Sequence, residues 1–173
     1  MAKNSSYTVA LACAFTLALV IGACGGGGGG GASSAAPANN IPRFAYVGNS
    51  SDNTVSIYTV DAATGQLRAR GYAAADSGPS SVSVDPSGRF AYVANQFSNN
   101  VSAYTINAAS GALTSVGAAV AAGSGPRSVT VDPSGKFAYV ANFDSNNVSA
   151  YTINAASGAL TSVGAAVAAG SGP

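Results

Sequence analysis

A stretch of twelve residues occurs twice in this chain, and its recurrence constrains the fold more than any other feature. Residues 84–95, Val-Asp-Pro-Ser-Gly-Arg-Phe-Ala-Tyr-Val-Ala-Asn, return as residues 131–142 with a single change. Aligning 79–125 with 126–172 gives a period of 47 residues and five differences. These are Ser80/Arg127, Ser83/Thr130, Arg89/Lys136, Gln96/Phe143 and Phe97/Asp144. A repeat of this length predicts structural units that bury their apolar faces by stacking on one another.

Each repeat unit has the pattern of four short strands joined by turns. Residues 81–85 alternate with the period of a half-buried strand. Asp85-Pro-Ser-Gly88 has the residues of a type I turn, and the link 96–100 is rich in asparagine. The predicted strands of this unit are 81–85, 89–95, 101–106 and, as the weakest, 112–121.

The first unit is more diverged, with three predicted strands at about 43–50, 54–61 and 66–73. The units are predicted at about 43–78, 79–125 and 126–173. Helical repeats of similar period need two amphipathic helices per unit, and the sequence contains none. Four short antiparallel strands per unit favour an all-β fold built of β-propeller blades, about three of them, in an incomplete ring.

The repeated motifs resemble those of a known family. Tyr46-Val-Gly-Asn49 and its counterparts 92–95 and 139–142 are similar to the Tyr-Val-Thr-Asn repeat of bacterial extracellular propellers. Together with Asp-Pro-Ser-Gly-(Arg/Lys)-Phe, they resemble the lactonase-like seven-bladed propeller family. Three blades are under half of such a ring. The interpretations are a fragment of a longer propeller, a ring assembled from several copies, or a stable open arc. Open blade faces predict self-association.

The N-terminus is predicted to be a lipoprotein signal peptide, residues 1–23. An apolar run of thirteen residues, 9–21, spans roughly 20 Å as a helix, short of the ~30 Å bilayer core. It leads into Ile21-Gly-Ala-Cys24, which resembles a bacterial lipobox and marks Cys24 for lipid attachment. An ordinary secretory signal with an incidental cysteine is the alternative.

Residues 24–42 are predicted to be a tether between the lipidated cysteine and the folded part. Seven glycines occupy 25–31, and such a run behaves as a flexible coil. Two or more acyl chains bind a protein stably to a membrane, whereas a single acyl chain gives only weak, reversible binding. We therefore expect a cell-envelope protein whose partner is the membrane, with Gly25 after the cysteine favouring the outer membrane.

Charge and composition narrow the chemistry that the chain can carry. Only 8% of residues are charged, the formal net charge is +1, and there is no histidine and no glutamate. The electrostatic field of so weakly charged a protein does not favour nucleic-acid binding, which depends on clustered lysines and arginines. Enzymes of the family use a histidine, a glutamate and arginines near the channel mouth, and the first two have no counterpart here. The resemblance leaves Arg127, at the start of an innermost strand, as a candidate channel-facing ligand for an anion; a solvated arginine is the alternative.

The remaining polar residues are explained by turn and loop structure. We expect Asp85 and Asp132 to accept hydrogen bonds within their turns, and Asp144 to be a solvated acid in a loop. Ser87 and Ser134 have no neighbouring base that could activate them as nucleophiles. No catalytic residue, metal site or cofactor is predicted. The first functional hypothesis is a lipid-anchored binding or surface module. The alternative is a lactone hydrolase whose catalytic residues lie outside this chain.

Overall fold

The computed structural model describes residues 9–12 and 43–173, which form three antiparallel sheets and contain no helix. The first sheet contains β1 Val9–Ala12, β2 Arg43–Asn49, β3 Thr54–Val60 and β4 Leu67–Ala74, in that spatial order. The second contains β5 Pro79–Val84, β6 Phe90–Asn95, β7 Asn100–Ile106, β8 Leu113–Ser115 and β9 Val120–Ala121. The third repeats it as β10 Pro126–Val131, β11 Phe137–Asn142, β12 Asn147–Ile153, β13 Leu160–Ser162 and β14 Val167–Ala168. The predicted fold class, all-β with successive propeller blades, is confirmed.

The outermost strand of blades two and three differs from the prediction. A single fourth strand was expected over 112–121, but this segment forms two short strands, β8 and β9, that both pair with β7. Gly117, between them, has a φ of 67°, which interrupts an extended strand. The same break recurs at Gly164 in blade three, whereas β4 of blade one is a single strand of eight residues.

Blade one gains a fourth strand from the N-terminal segment. Strand β1 pairs antiparallel with β2, from Val9 opposite Val47 to Ala12 opposite Phe44. It therefore takes the position that β5 and β10 take in the other blades. These four residues belong to the predicted signal peptide, so processing at Cys24 would remove β1 and leave blade one with β2, β3 and β4. The rest of that segment, Cys24 and the tether lie outside the described residues.

The two hydrophobic cores lie between the blades. Phe44, Tyr46 and Ile57 of blade one pack against Val82 and Val93 of blade two. The equivalent residues of blade two pack against Val129, Ala138, Val140, Tyr151 and Ile153 of blade three. Each blade therefore contributes one face to the core before it and the other face to the core after it, as expected for stacked repeats.

Asparagines in the loop between the second and third strands fix where each next blade begins. Asn53, Asn99 and Asn146 have φ of 54°, 54° and 52°, a left-handed conformation that asparagine tolerates better than most residues. The side-chain Oδ1 of Asn53 accepts a hydrogen bond of 2.9 Å from the Gly78 N–H, directly before β5. Asn99 accepts the equivalent bond from Gly125 at 2.8 Å. The sequence indicated only loops here, and the tie between blades is a finding of the structure.

Candidate functional site

Arg127 lies at the start of β10, the innermost strand of blade three, and is exposed. Its guanidinium carbon is 3.8 Å from the centroid of the Phe143 ring, in the loop between β11 and β12. An arginine stacked on an aromatic ring keeps its N–H donors in the plane of the guanidinium, where they can bind a carboxylate or phosphate. The stacking therefore orients the one charged side chain that the sequence singled out.

Blade two has different chemistry at the same position. Ser80 replaces Arg127, and its hydroxyl lies within hydrogen-bond distance of two carbonyl oxygens, those of Ala94 at 3.1 Å and of Pro126 at 2.9 Å, to either of which it can donate. Ser80 thus ties β5 to its neighbouring strand and to the next blade, whereas Arg127 projects a cation. Both members of the Arg127–Phe143 pair differ between the twin repeats, and the structure shows that these two differences are in contact.

Asp144 adds a carboxylate near the same corner of blade three. It follows Phe143 in the loop, is exposed, and its side chain lies against Gly125, two residues before Arg127. Its backbone N–H donates to the carbonyl oxygen of Ser124 at 3.1 Å. We define the Arg127 corner as Arg127, Phe143 and Asp144; it contains three of the residues that distinguish blade three from blade two.

The aspartates of the two turns are occupied by structural hydrogen bonds, as the sequence predicted. Asp85 Oδ1 accepts from the backbone N–H of Arg89 and of Phe90, each at 2.8 Å. Its other oxygen accepts from the hydroxyl of Ser87. These bonds close the turn before β6 and make both side chains part of the turn structure.

Asp132 and Ser134 repeat this arrangement before β11. Asp132 Oδ1 accepts from the N–H of Lys136 and of Phe137 at 2.9 Å, and Oδ2 accepts from the Ser134 hydroxyl at 2.5 Å. The hydrogen bond from Ser134 is the largest of the causes that lower the pKa of the Asp132 carboxyl. Asp132 is therefore anionic at neutral pH and serves as an acceptor in the turn.

The tyrosine hydroxyls link neighbouring blades, a role that sequence reasoning missed. Tyr46 donates to the Gly111 carbonyl oxygen at 2.9 Å, and Tyr92 donates to Gly158 at 3.0 Å. Desolvation by burial raises the pKa of both hydroxyls, so they are neutral donors at physiological pH. This tyrosine and the turn glycine recur in every unit, and that recurrence is the sequence feature from which the inter-blade hydrogen bonds could have been predicted.

Two buried amides carry an unpartnered oxygen at the ends of β6 and β11. Asn95 Nδ2 donates to Asn100 Oδ1 at 2.8 Å and to Ser102 Oγ at 2.9 Å, and Asn142 is bonded equivalently. The Oδ1 atoms of Asn95 and Asn142 accept no hydrogen bond from the described residues. Because both side chains are fully buried, these amides hold neighbouring strands together and offer no surface to a ligand.

Metal coordination and membrane crossing find no support in the described part of the chain. Residues 9–12 and 43–173 contain no group of three or more histidine, cysteine, aspartate or glutamate side chains placed to hold an ion. No helix formed by those residues is long and apolar enough to cross a bilayer.

Comparison with known proteins identifies the blades. Residues 42–173 match the family described as lactonase, 7-bladed β-propeller. A candidate 6-phosphogluconolactonase from Bacteroides fragilis superimposes with a TM-score of 0.69 at 28% identity, over 75% of this chain and 37% of that one. The periplasmic gluconolactonase PpgL of Pseudomonas aeruginosa superimposes with a TM-score of 0.66 at 25% identity, over 74% and 37%.

A third solved structure, a candidate 6-phosphogluconolactonase from Bacteroides uniformis, gives a TM-score of 0.67 at 25% identity, over 73% of this chain and 37% of that one. This chain thus spans a little over a third of the length of these three structures. The comparison with curated protein sequences found no match.

Proposed function

Since this chain belongs to the lactonase family of seven-bladed β-propellers, we propose that its blades form an anion-binding module held at the cell envelope by a lipid on Cys24. The observation that carries the proposal is the exposed Arg127 guanidinium stacked on Phe143 at the inner end of β10. The ligand class is a sugar acid or a phosphorylated sugar, whose carboxylate or phosphate pairs with the planar guanidinium. Hydroxyls of such a ligand would complete the contact as donors to Asp144.

Binding in place of hydrolysis is proposed because of what the acidic and hydroxyl groups already do. Asp85 and Asp132 each close a turn, and Ser87 and Ser134 donate to them. The hydroxyls of Tyr46 and Tyr92 are buried donors with raised pKa. If one of these side chains acted as a general base or nucleophile, it would have to break its structural hydrogen bond. That would destabilise the turn or the contact between blades.

The binding test measures 6-phosphogluconate and gluconate affinity by isothermal titration calorimetry of the full chain in mild detergent. Arg127→Ser installs the residue that blade two carries, so it should fold normally. A hydrogen bond to a charged group contributes about 1.5–3 kcal/mol, so affinity should fall about 10- to 150-fold. The matched control is Arg70→Ser, an exposed arginine of β4. Equal affinity of the wild type and Arg127→Ser would refute the site.

A lactone hydrolase with catalytic residues outside this chain is the second candidate function. It is favoured by the similarity of the blades to the periplasmic gluconolactonase of Pseudomonas aeruginosa and to the candidate 6-phosphogluconolactonase of Bacteroides fragilis. A gluconolactone assay of this chain alone should give the rate of buffer for either candidate, because the hydrolase would have its catalytic residues outside this chain. The two candidates are separated by the gene sequence downstream: further blades that carry a histidine and a glutamate, and that turn over gluconolactone when joined to this chain, would favour the hydrolase. Turnover by this chain alone would contradict the binding proposal.

The lipid anchor has its own test. Metabolic labelling with a palmitate analogue in a bacterial host should label the wild-type chain. Cys24→Ser should abolish the label. Cys13→Ser is the matched control, because Cys13 lies within the predicted signal peptide and should leave labelling unchanged. Label that persists in Cys24→Ser would contradict the predicted lipobox.

A further inference from the structure

The three blades carry a basic residue at the same position. Arg43, Arg89 and Lys136 directly precede the phenylalanine near the start of β2, β6 and β11. The exchange of Arg89 for Lys136 is one of the five differences between the twin repeats, and it keeps the positive charge. All three residues are exposed. The repeat therefore places one exposed cation in each blade, and we call Arg43, Arg89 and Lys136 the basic row.

The antiparallel order of the strands places the basic row at one end of the blades. β2, β6 and β11 start at the end where the chain makes its turns and stop at the loops that lead to the third strand. Arg89 confirms this placement, because it donates at 2.8 Å to the carbonyl oxygen of Ala155, in the turn after β12. We call this end the turn face; it contains 61–66, 85–88, 107–112, 132–135 and 154–159. The opposite end is the loop face, with 50–53, 75–78, 96–99, 122–125 and 143–146.

The exposure of the basic row does not depend on whether another blade adjoins it. Blade two packs against blade one on one side and blade three on the other, and Arg89 is nevertheless exposed. One N–H of its guanidinium donates to Ala155, and another donates to the Ser87 hydroxyl oxygen at 3.2 Å. A guanidinium has more N–H groups than these two, so others remain for further acceptors. This position therefore stays open to an anion when blades lie on both sides of it.

The carboxylates of the turn face are held within their turns. Asp85 is buried and Asp132 is half-buried, and both accept the backbone hydrogen bonds described above. Asp61 is exposed, and hydrogen bonds from Thr64 together with the charge of Arg68 lower the pKa of its carboxyl. Salt screens charges over about 8 Å. A surface that approaches the turn face therefore meets the exposed cations of the basic row before the carboxylates of Asp85 and Asp132.

The two faces of the described blades differ in charge. The turn face has four cations, the basic row and Arg68, against three carboxylates. The loop face has one cation, Arg127, against the exposed carboxylates of Asp52, Asp76 and Asp144. Arg70 lies midway along β4, between the two faces. An anionic surface therefore attracts the turn face and repels the loop face.

The predicted tether joins the blades at the turn face. Residues 24–42 end directly before Arg43, which is both the first residue of β2 and a member of the basic row. A Gly-rich coil of this length has a root-mean-square end-to-end distance of roughly 25 Å. A lipid on Cys24 would therefore keep the turn face within about that distance of the bilayer and leave the loop face on the far side of the blades.

We propose that the basic row binds the anionic headgroups of the membrane that anchors the chain, so that the turn face lies against the bilayer. The inference rests on the lipid at Cys24 in the proposed function, which keeps the turn face close to those headgroups. Exposed lysines and arginines near an anionic bilayer are attracted to it, and the carboxylates of the loop face are repelled by it. The Arg127 corner, on the loop face, then opens away from the membrane and is accessible to soluble anions.

Fluorescence energy transfer to an acceptor on the lipid headgroups measures which face lies against a vesicle. The full chain is produced in a bacterium that lipidates Cys24 and is reconstituted on vesicles of phosphatidylcholine, with or without anionic phosphatidylglycerol. A donor dye is attached through Ala108→Cys on the turn face or Ser51→Cys on the loop face, both exposed positions. On anionic vesicles, transfer should be stronger from position 108 than from position 51. This difference should shrink on neutral vesicles and in high salt.

Removing the charges of the basic row should abolish this preference. The triple variant Arg43→Gln, Arg89→Gln and Lys136→Gln keeps long polar side chains and removes the three cations. Each cation lost should lower the ratio of chains with the turn face down to chains with it up about fivefold. Arg127→Gln is the matched control, because it removes the same charge from the loop face. In this control, the preference for the turn face should be at least as strong as in the wild type.

Equal transfer from positions 108 and 51 on anionic vesicles would overturn the proposal, as would a preference as large in the triple variant as in the wild type. Equal losses in Arg127→Gln and Lys136→Gln would also overturn it, since net charge would then set the orientation. Mass spectrometry of the purified chain tests the anchor separately by detecting the lipid on Cys24. A chain without the lipid would contradict the proposed function and this inference together, whereas a lipidated chain with equal transfer would contradict the orientation alone.

Discussion

Blades two and three have nearly the same sequence and strands, yet the same residues have different environments in them. The strand Phe-Ala-Tyr-Val-Ala-Asn is fully buried as β6, whereas alternate residues of the same strand are exposed as β11. None of the five differences between the repeats lies in this strand. What differs is the neighbour: among the described residues, β6 has a blade on each side, whereas β11 has a blade on one side. The burial of a repeat residue is therefore set by the adjacent blade.

The largest expected effect is a truncation of the tyrosine in each blade. Tyr92→Ala removes a fully buried ring and its bond to Gly158, and should lower the free energy of unfolding by roughly 3–5 kcal/mol, as large aromatic truncations do. Tyr139→Ala should cost well under half as much in the monomer. Urea denaturation of both full-length variants at low protein concentration measures this. Equal losses would mean that the two environments do not differ.

The turn glycines give the next largest effect. Gly158→Ala places a methyl group against the Phe90 ring in addition to its strained positive φ, whereas Gly65→Ala meets only the strain. Overpacking costs roughly 1–3 kcal/mol, so Gly158→Ala should be the less stable variant by about that amount. Thermal unfolding of the pair is the measurement, and identical midpoints would show that the junction is loosely packed.

Alkaline pH should act on the junction tyrosines. Burial raises the pKa of the Tyr46 and Tyr92 hydroxyls in the folded state. In the unfolded state, a tyrosine ionises with a pKa of about 10, so above that pH the unfolded chain loses these protons before the folded one does. Their contribution to stability is complete below pH 10 and is lost as pH rises above it. Tyr92→Phe should reduce the steepness of this loss. Urea denaturation at a series of alkaline pH values measures the slope, and a Tyr92→Phe slope equal to that of the wild type would contradict this prediction.

The smallest effect is expected at the turn of blade three. Hydrogen bonds lower the pKa of Asp132, so its contribution is present above the unfolded aspartate pKa of about 3.9 and is lost as pH falls through the lower folded value. Asp132→Asn should therefore be less stable than the wild type at pH 7, and the difference should shrink in acid. A difference that is constant from pH 7 to pH 2 would rule out the carboxylate as its source.

Much of the blade structure could be predicted from local sequence, because turn residues act on their own neighbours. Asp85 was assigned to its turn correctly, since an aspartate before Pro-Ser-Gly can only reach nearby N–H groups. The fourth strand is shorter than the predicted 112–121 because Gly117 has a φ of 67°, and the number of residues between glycines does not indicate which glycine takes a positive φ. The pairing of β1 with β2 joins residues more than thirty positions apart, and no local pattern indicates it.

The candidate site was predictable in only one of its parts. Arg127 stood out because it is the one difference between the twin repeats that adds positive charge. Its stacking on Phe143, sixteen positions later, became visible only once β10 and β11 were paired. The inter-blade bonds of Tyr46 and Tyr92 were missed for the same reason, since their acceptors lie 65 and 66 residues away.

Local sequence is sufficient to predict the repeat, its strands and its turns, because β-branched and aromatic runs and the Pro-Ser-Gly turn act within a few residues. The tertiary structure alone decided which copy of each motif is buried. Identical tyrosines are a core residue in blade two and a surface residue in blade three, since burial requires the apolar face of another blade and that face is supplied by residues distant in the sequence.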